Sequence, residues 1–358
     1  MYKLEIDNEL NKLISPFNQF VLDVLDFLDC ETKIKRDESD KDIKLLLKEL
    51  ENYNFKLFNV AKGSDLKKHL YYLKMSSFKD NIDLKKQYNC YSINYENILD
   101  EKYLKCFIFD QQIKDAFDYF YNTIGGLKSY IDNYIDNANF KNVLNVFREK
   151  FTQNKTCPYC DLHEIEFDLT SVDHFLPKSV YPTLSIFPPN LIVACTACND
   201  RIKRANMKFP IFHPYFHDIS KNILFSYNFH FKRIDVNYVS SSGASIEIRR
   251  AENYNDLFKI LIRYNKKIEY FKQERRNIRY RVKATIQSLL NISPMRLDEI
   301  PVKEILQKEY EAYLKQQKES EGIFQMSKIK TDLAWQVIND LLDYEEEYLR
   351  NELSRKFQ

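Results

Sequence analysis

The chain has 358 residues, of which 44% are hydrophobic and 30% charged, with a formal net charge of +2. With 26 Phe and 25 Tyr to bury, this composition excludes a disordered chain, and the length predicts two or three modules rather than one core. Five glycines disfavour a glycine-rich nucleotide-binding architecture, and no apolar run approaches the roughly 18 residues of a membrane span. The opening MYKLEIDNEL is polar and acidic, unlike a secretory signal, so a cytoplasmic protein is expected.

Residues 1–150 read as helical. Leu10, Leu13, Ile14, Phe17, Val21, Val24, Leu25 and Leu28 recur at three- and four-residue steps, the period of one helix face. Lys41–Phe58 and Asp110–Phe151 are patterned alike, with Gly125-Gly126 marking a break. Near residue 155 the character changes, and seven of the ten prolines fall between Pro158 and Pro214. Further on, Phe225, Tyr227, Phe229 and Phe231 alternate with polar residues, as do Ile234, Val236 and Tyr238. After the punctuating Ser240–Gly243, Ile246 and Ile248 alternate again. Period two with a turn predicts a small antiparallel sheet over 218–250. Helical periodicity returns from about Glu252, and Leu333, Val337, Ile338, Leu341 and Leu342 form its last clear face. The expected division is therefore 1–150, 151–217, 218–250 and 251–358, with an α+β fold that is mainly α.

The proline-rich segment also holds four of the seven cysteines, as Cys157-Pro-Tyr-Cys160 and Cys195-Thr-Ala-Cys198. Paired CxxC units in a reducing compartment are more often metal ligands than disulfides. Four thiolates can close one tetrahedral zinc with no open position, which makes that zinc structural. The 34 residues between Cys160 and Cys195 exceed the roughly 15–20 of common zinc ribbons, so a substantial element is held between the knuckles. Cys30, Cys90 and Cys106 are expected to be buried small hydrophobes.

Within that gap, Glu164–His174 can form a strand that ends on the adjacent Asp173 and His174, in a chain with only six histidines. Leu176–Pro189 is a loop stiffened by four prolines, Asn190 precedes the strand Leu191–Ala194, and Cys195 opens a helix to about Asn206. Cutting a phosphodiester needs an activated water and a Lewis acid on the phosphate. A lone imidazole such as His174 can take the water's proton. The oxygen donors Asp173 and Asn199 suit Mg²⁺ or Mn²⁺ rather than zinc.

The elements CPYC, DHFLPKS, Asn190 followed by LIVAC, and CTACNDRIK, in this order, resemble the HNH (ββα-metal) nuclease family in its zinc-stapled form, over residues 155–215. The resemblance implies a DNA-cutting endonuclease with His174 as general base, Asp173 and Asn199 as ligands of a catalytic Mg²⁺ or Mn²⁺, and Asn190 pinning the loop that carries the base. Many family members have His where this chain has Asn199. Lys203 resembles a helix cation near the phosphate, or is a solvated lysine; Arg201 on the same segment, and Lys178 with Ser179 in the loop, are candidate phosphate contacts. His213 and His217 are expected to pack beside the module, and His163 to lie at the surface.

From Arg249 to Lys283 there are 12 Lys/Arg against 4 Asp/Glu, interleaved with Tyr264, Tyr270, Phe271 and Tyr280. Such a stretch can contact phosphates and stack on unpaired bases, with Arg275, Arg276, Arg279 and Arg281 on a backbone-tracking helix. A solvated helix face or a protein-binding surface is the alternative. HNH proteins of this size with helical flanks look like bacterial anti-phage effectors, which in Septu and certain retrons work beside an ATPase, so a defence role with an ATPase partner is implied by analogy. Action on RNA, a non-catalytic zinc-stapled binding module and a housekeeping restriction nuclease remain open.

Overall fold

The computed structural model describes residues 3–4, 8–30, 40–80, 83–102, 109–136, 138–152, 156–292, 296–319 and 326–355. It is mainly helical, with two small antiparallel sheets of two strands each. The chain splits into two compact units, one comprising Leu4–Gln153 with Ile165–Phe216, the other Met1–Lys3, Asn154–Glu164 and His217–Gln358. Among the described residues no helix is long and apolar enough to cross a membrane. Cys106 lies outside the described residues, while Cys30 and Cys90 are half-buried rather than buried.

The first unit runs α1 (Asn8–Asp29), α2 (Asp40–Tyr53), α3 (Phe55–Ala61), α4 (Leu66–Asp80), α5 (Leu84–Ile93), α6 (Tyr95–Leu99), α7 (Gln111–Thr123), α8 (Lys128–Tyr134) and α9 (Val143–Thr152), then β1 (Thr170–His174) and β2 (Leu191–Cys195). The periodic face of α1 is buried, as its spacing requires, and Phe17 stacks on Tyr130 while Phe20 meets Phe120 edge-on. A short 3₁₀ turn, Ile124–Gly126, breaks the chain after α7. A Cβ at Gly125 would approach the Phe17 ring within 3.2 Å, so the glycine lets the turn close on α1. Lys74 is fully buried and donates to the Phe27 and Cys30 carbonyls, tying α4 to the C-terminal end of α1.

β1 and β2 pair from Thr170↔Cys195 to His174↔Leu191. Two tyrosine hydroxyls occupy carbonyls of this ribbon, Tyr121 of α7 on Val172 at 2.9 Å and Tyr215, in the turn beyond the ribbon, on Leu191 at 2.8 Å. The helix expected from Cys195 is a π-type turn over Ala197–Lys203, which ends where Arg204 takes a positive φ.

The second unit contains the knuckle 156–164, β3 (Ile223–Asn228), β4 (Arg233–Tyr238), α10 (Ser245–Phe258), α11 (Ile260–Asn265), α12 (Ile268–Ile292), α13 (Val302–Glu319), α14 (Ser327–Gln336) and α15 (Leu342–Ser354). Two expectations for this sheet are corrected. Phe229 and Phe231 belong to the hairpin turn rather than a strand, because Asn228 Oδ1 accepts from the His230 and Phe231 amides and Lys232 adopts a left-handed φ. Ile246 and Ile248 lie in α10, not in a third strand. The outer edge of β3 is bonded by α14 side chains, Asp332 accepting from the Phe225 amide and Gln336 from Tyr227. On the other edge Asn265 bonds both the amide and the carbonyl of Ile234.

Candidate functional site

The first knuckle is a tight turn in which the Cys160 and Asp161 amides donate to the Cys157 carbonyl, at 3.2 and 2.9 Å. Tyr254 bonds the Pro158 and Tyr159 carbonyls, Tyr264 bonds that of Cys160, and Tyr159 stacks on Phe258. Asp161 is fully buried. Its carboxylate accepts from Thr156 and from the Lys328 amide at the start of α14, and burial pushes its pKa up.

Cys195 ends β2 and Cys198 lies in the π-type turn. Cys157, Cys160, Cys195 and Cys198 are all buried and none forms a disulfide, and their sulfur atoms lie within 4.8 Å of one another. Zn–S bonds of about 2.3 Å in a tetrahedron place sulfurs roughly 3.8 Å apart, so four thiolates this close fit a zinc-like ion after small adjustments. Four sulfur donors complete its coordination, which makes any such ion a structural one.

The loop 175–190 is braced by Asn190, which is fully buried. Its amide oxygen accepts from the Leu176 amide at 2.7 Å and the Tyr95 hydroxyl at 2.8 Å, and its nitrogen donates to the Leu176 and Leu184 carbonyls. All its polar capacity is engaged, which is how one side chain fixes a loop's course. His213 backs this brace. Its Nδ1 accepts from the Tyr215 amide, so Nε2 carries the proton and faces the Tyr95 oxygen at 3.4 Å. His213 is therefore a packed, hydrogen-bonded group; His163 is exposed and His217 half-buried.

The same loop holds His174. Its Nε2 lies 2.8 Å from the Ser185 carbonyl, and Ser185 is itself anchored to the Phe117 carbonyl. A carbonyl only accepts, so Nε2 bears the proton and Nδ1 the lone pair. Burial lowers the His174 pKa to about 3, helped by the Lys178 charge and opposed by the bond to Ser185. The imidazole is thus neutral throughout the physiological range. Tyr121 meets it edge-on with ring centroids 4.3 Å apart.

Asp173 is buried, and its Oδ1 lies 3.0 Å from the ammonium of Lys203. That ammonium is fully buried and also donates to the His174 carbonyl at 2.7 Å and the Arg204 carbonyl at 3.4 Å. Both sequence expectations for Lys203, a phosphate contact and a solvated lysine, are corrected: it is an internal cation tying β1 to the end of the π-type turn. The Asn199 amide nitrogen donates to Ser171 Oγ at 2.7 Å. Ser171 and Asp173 are two apart on β1 and share a face, so Asn199 sits over the face that carries Asp173.

The remaining candidate contacts divide. Lys178 is ion-paired with Asp118, while Arg201 and Arg276 are exposed. Arg275 and Arg279 do not track a solvent face: both are bound to Glu345, which is fully buried. Tyr264 and Phe271, expected to stack on bases, are buried; Tyr270 and Tyr280 are exposed. Sequence reasoning missed Tyr95, Tyr121, Ser171 and Ser185, whose roles depend on partners 11 to 118 positions away or on a hydroxyl with no motif.

No family model, curated protein or solved structure matches this chain.

Proposed function

We propose that the chain is a metal-dependent endonuclease of the HNH type acting on DNA. One observation carries the reading: His174 is a neutral imidazole whose Nε2–H is committed to a backbone carbonyl, so its lone pair is on Nδ1, the one ring nitrogen that can accept a proton. In this reading His174 takes a proton from the attacking water, and the Ser185 carbonyl stabilises the resulting imidazolium and holds the ring's orientation. An approaching phosphate brings negative charge that raises the imidazole's pKa from its resting value, toward the range where a base is effective. Asp173 and Asn199 are the oxygen donors for Mg²⁺ or Mn²⁺, which when bound supplies Lewis acidity at the scissile phosphate. Asn190 and Tyr95 position the loop, and Lys203 positions Asp173. By resemblance, the cutting serves anti-phage defence beside an ATPase partner.

The test is cleavage of supercoiled plasmid with Mg²⁺ or Mn²⁺. His174→Ala abolishes nicking while leaving the circular dichroism spectrum intact, and equal nicking by both proteins defeats the reading. Parallel incubation with tRNA decides between DNA and RNA. The Lys203–Asp173 pair favours a second reading, a zinc-stapled binding module without catalysis, because the ammonium already neutralises the carboxylate. That reading expects Asp173→Ala to leave every activity and Mg²⁺ affinity unchanged.

A further inference from the structure

A cavity of about 70 Å³ lies inside the second unit, walled by β3, α12, α13 and α14. That is several times the roughly 10–15 Å³ that one water needs. The wall is nearly all carbon, and much of it is aromatic: Tyr227 and Phe229 from the end of β3 and the turn beyond, Phe271 from α12, Tyr310 and Tyr313 from α13. The π-type turn Val337–Leu341 that follows α14 supplies another side, and widened turns of this kind recur at functional sites.

Two donors in this wall are left over from the fold. Lys330 is 9% exposed, yet its ammonium makes no hydrogen bond among the described residues. Its carboxylate partner, Glu274 of α12, stands at 3.9 Å, beyond hydrogen-bond reach, and the Tyr270 ring centroid is 5.0 Å away. The Tyr313 hydroxyl, in a residue 7% exposed, also lacks a hydrogen-bond partner among the described residues, and burial raises its pKa, so it stays a donor. Buried donors without acceptors are rare, because each carries its full desolvation cost. Charge, by contrast, is already balanced in the wall. Lys272 is paired with Glu269, Arg275 with Glu345, and Lys330 with Glu274.

We propose that this cavity binds a small, uncharged aromatic molecule that carries a hydrogen-bond acceptor, of the aryl carboxamide or aryl ketone class. A flat ring suits walls built of rings, against which it packs edge-on or offset. The acceptor meets donors that the fold leaves idle, the Lys330 ammonium above all. Neutrality follows from the paired wall: a carboxylate ligand would compete with Glu274 for Lys330 and set two negative charges against each other. Water alone would serve the donors but would have to wet a carbon surface, which apolar cavities resist. A few convergent polar groups in an apolar, concave site is the common build of a small-molecule pocket. This proposal does not rest on the cleavage chemistry.

The test is isothermal titration calorimetry of the full chain with benzamide, benzoate and cyclohexanecarboxamide. Benzamide is expected to bind with a Kd of about 1 mM or tighter, within reach of a ligand of its size. Benzoate, which adds a charge, and cyclohexanecarboxamide, which lacks the ring, are each expected to bind at least about tenfold more weakly. Lys330→Met keeps the stem and removes the ammonium, and is expected to weaken benzamide about tenfold or more, the contribution of a hydrogen bond to a charged group. Ala334→Leu adds side-chain bulk to the cavity wall and is expected to abolish binding, with the circular dichroism spectrum of both variants unchanged. No saturable binding of benzamide below about 10 mM overturns the proposal. So does benzoate binding as tightly as benzamide, or a benzamide affinity within about twofold of wild type in Lys330→Met.

Discussion

Replacing Lys203 by Met is the most informative single change in this protein. The ammonium is fully buried and Asp173 nearly so, and the two are 3.0 Å apart. Methionine matches the length of the aliphatic stem but withdraws the charge and the three bonds the ammonium makes to Asp173, His174 and Arg204. Breaking a buried pair by deleting one partner costs about 3–5 kcal/mol, since the remaining charge stays in a low dielectric. At the roughly 2–4 °C per kcal/mol of a unit this size, the melting temperature is expected to fall by about 6–20 °C. Adding Asn at position 173 to the Lys203→Met chain should recover much of that loss, because the stranded charge goes too. The assay is thermal denaturation followed by circular dichroism, with and without millimolar Mn²⁺. If Asp173 is a cation ligand, Mn²⁺ stabilises Lys203→Met more than wild type, because the ion replaces the missing ammonium. A loss under about 1 kcal/mol, the range of solvent-exposed pairs, refutes the reasoning.

Two more outcomes follow from the same geometry. Metal analysis of the purified chain is expected to give one zinc per molecule, and Cys195→Ser or Cys198→Ser to lose it together with much of the stability, because zinc affinity is folding free energy in such a site. The His174 pKa of about 3 is below its unfolded value near 6.5, so the unfolded chain binds a proton that the folded chain refuses as the pH falls. The stability this contributes is fully present above pH of about 6.5 and is lost between about 6.5 and 3, by on the order of 5 kcal/mol. Unfolding free energies of wild type and His174→Gln across that window check it: the difference between them changes with pH, and a constant difference rejects the assignment.

Much of the scaffold was legible because it obeys local periodicity. The α1 face, the strand expected over Leu191–Ala194 and the C-terminal half of the one expected over Glu164–His174, which the structure gives as Leu191–Cys195 and Thr170–His174, are patterns that a few neighbouring residues determine. The hairpin was mislocated because its turn carries Phe229 and Phe231 at a period of two. Its real signals, the Asn228 side-chain turn and the left-handed Lys232, use residues that are common elsewhere. Ile246 and Ile248 mimic a strand over three residues, too short a window to oppose the helix that follows. The electrostatics were hidden for another reason. The run Arg249–Lys283 looks basic because its neutralising acids come from far along the chain, Glu345 lying 70 positions from Arg275. Nor does sequence distinguish a buried Lys203 from a solvated one, since its acceptors are a carboxylate on β1 and two backbone carbonyls.

A two-stranded ribbon ordinarily displays two rows of peptide groups that any extended chain can zip onto. Here Asp332 and Gln336 occupy successive outward amides of β3, and Asn265 takes the outward amide and carbonyl of Ile234 on β4. The ribbon is thus closed to strand addition on both flanks without belonging to a larger sheet. That closure lets its tip carry bare phenylalanines in a crowded solution without seeding a growing β-stack of its own copies.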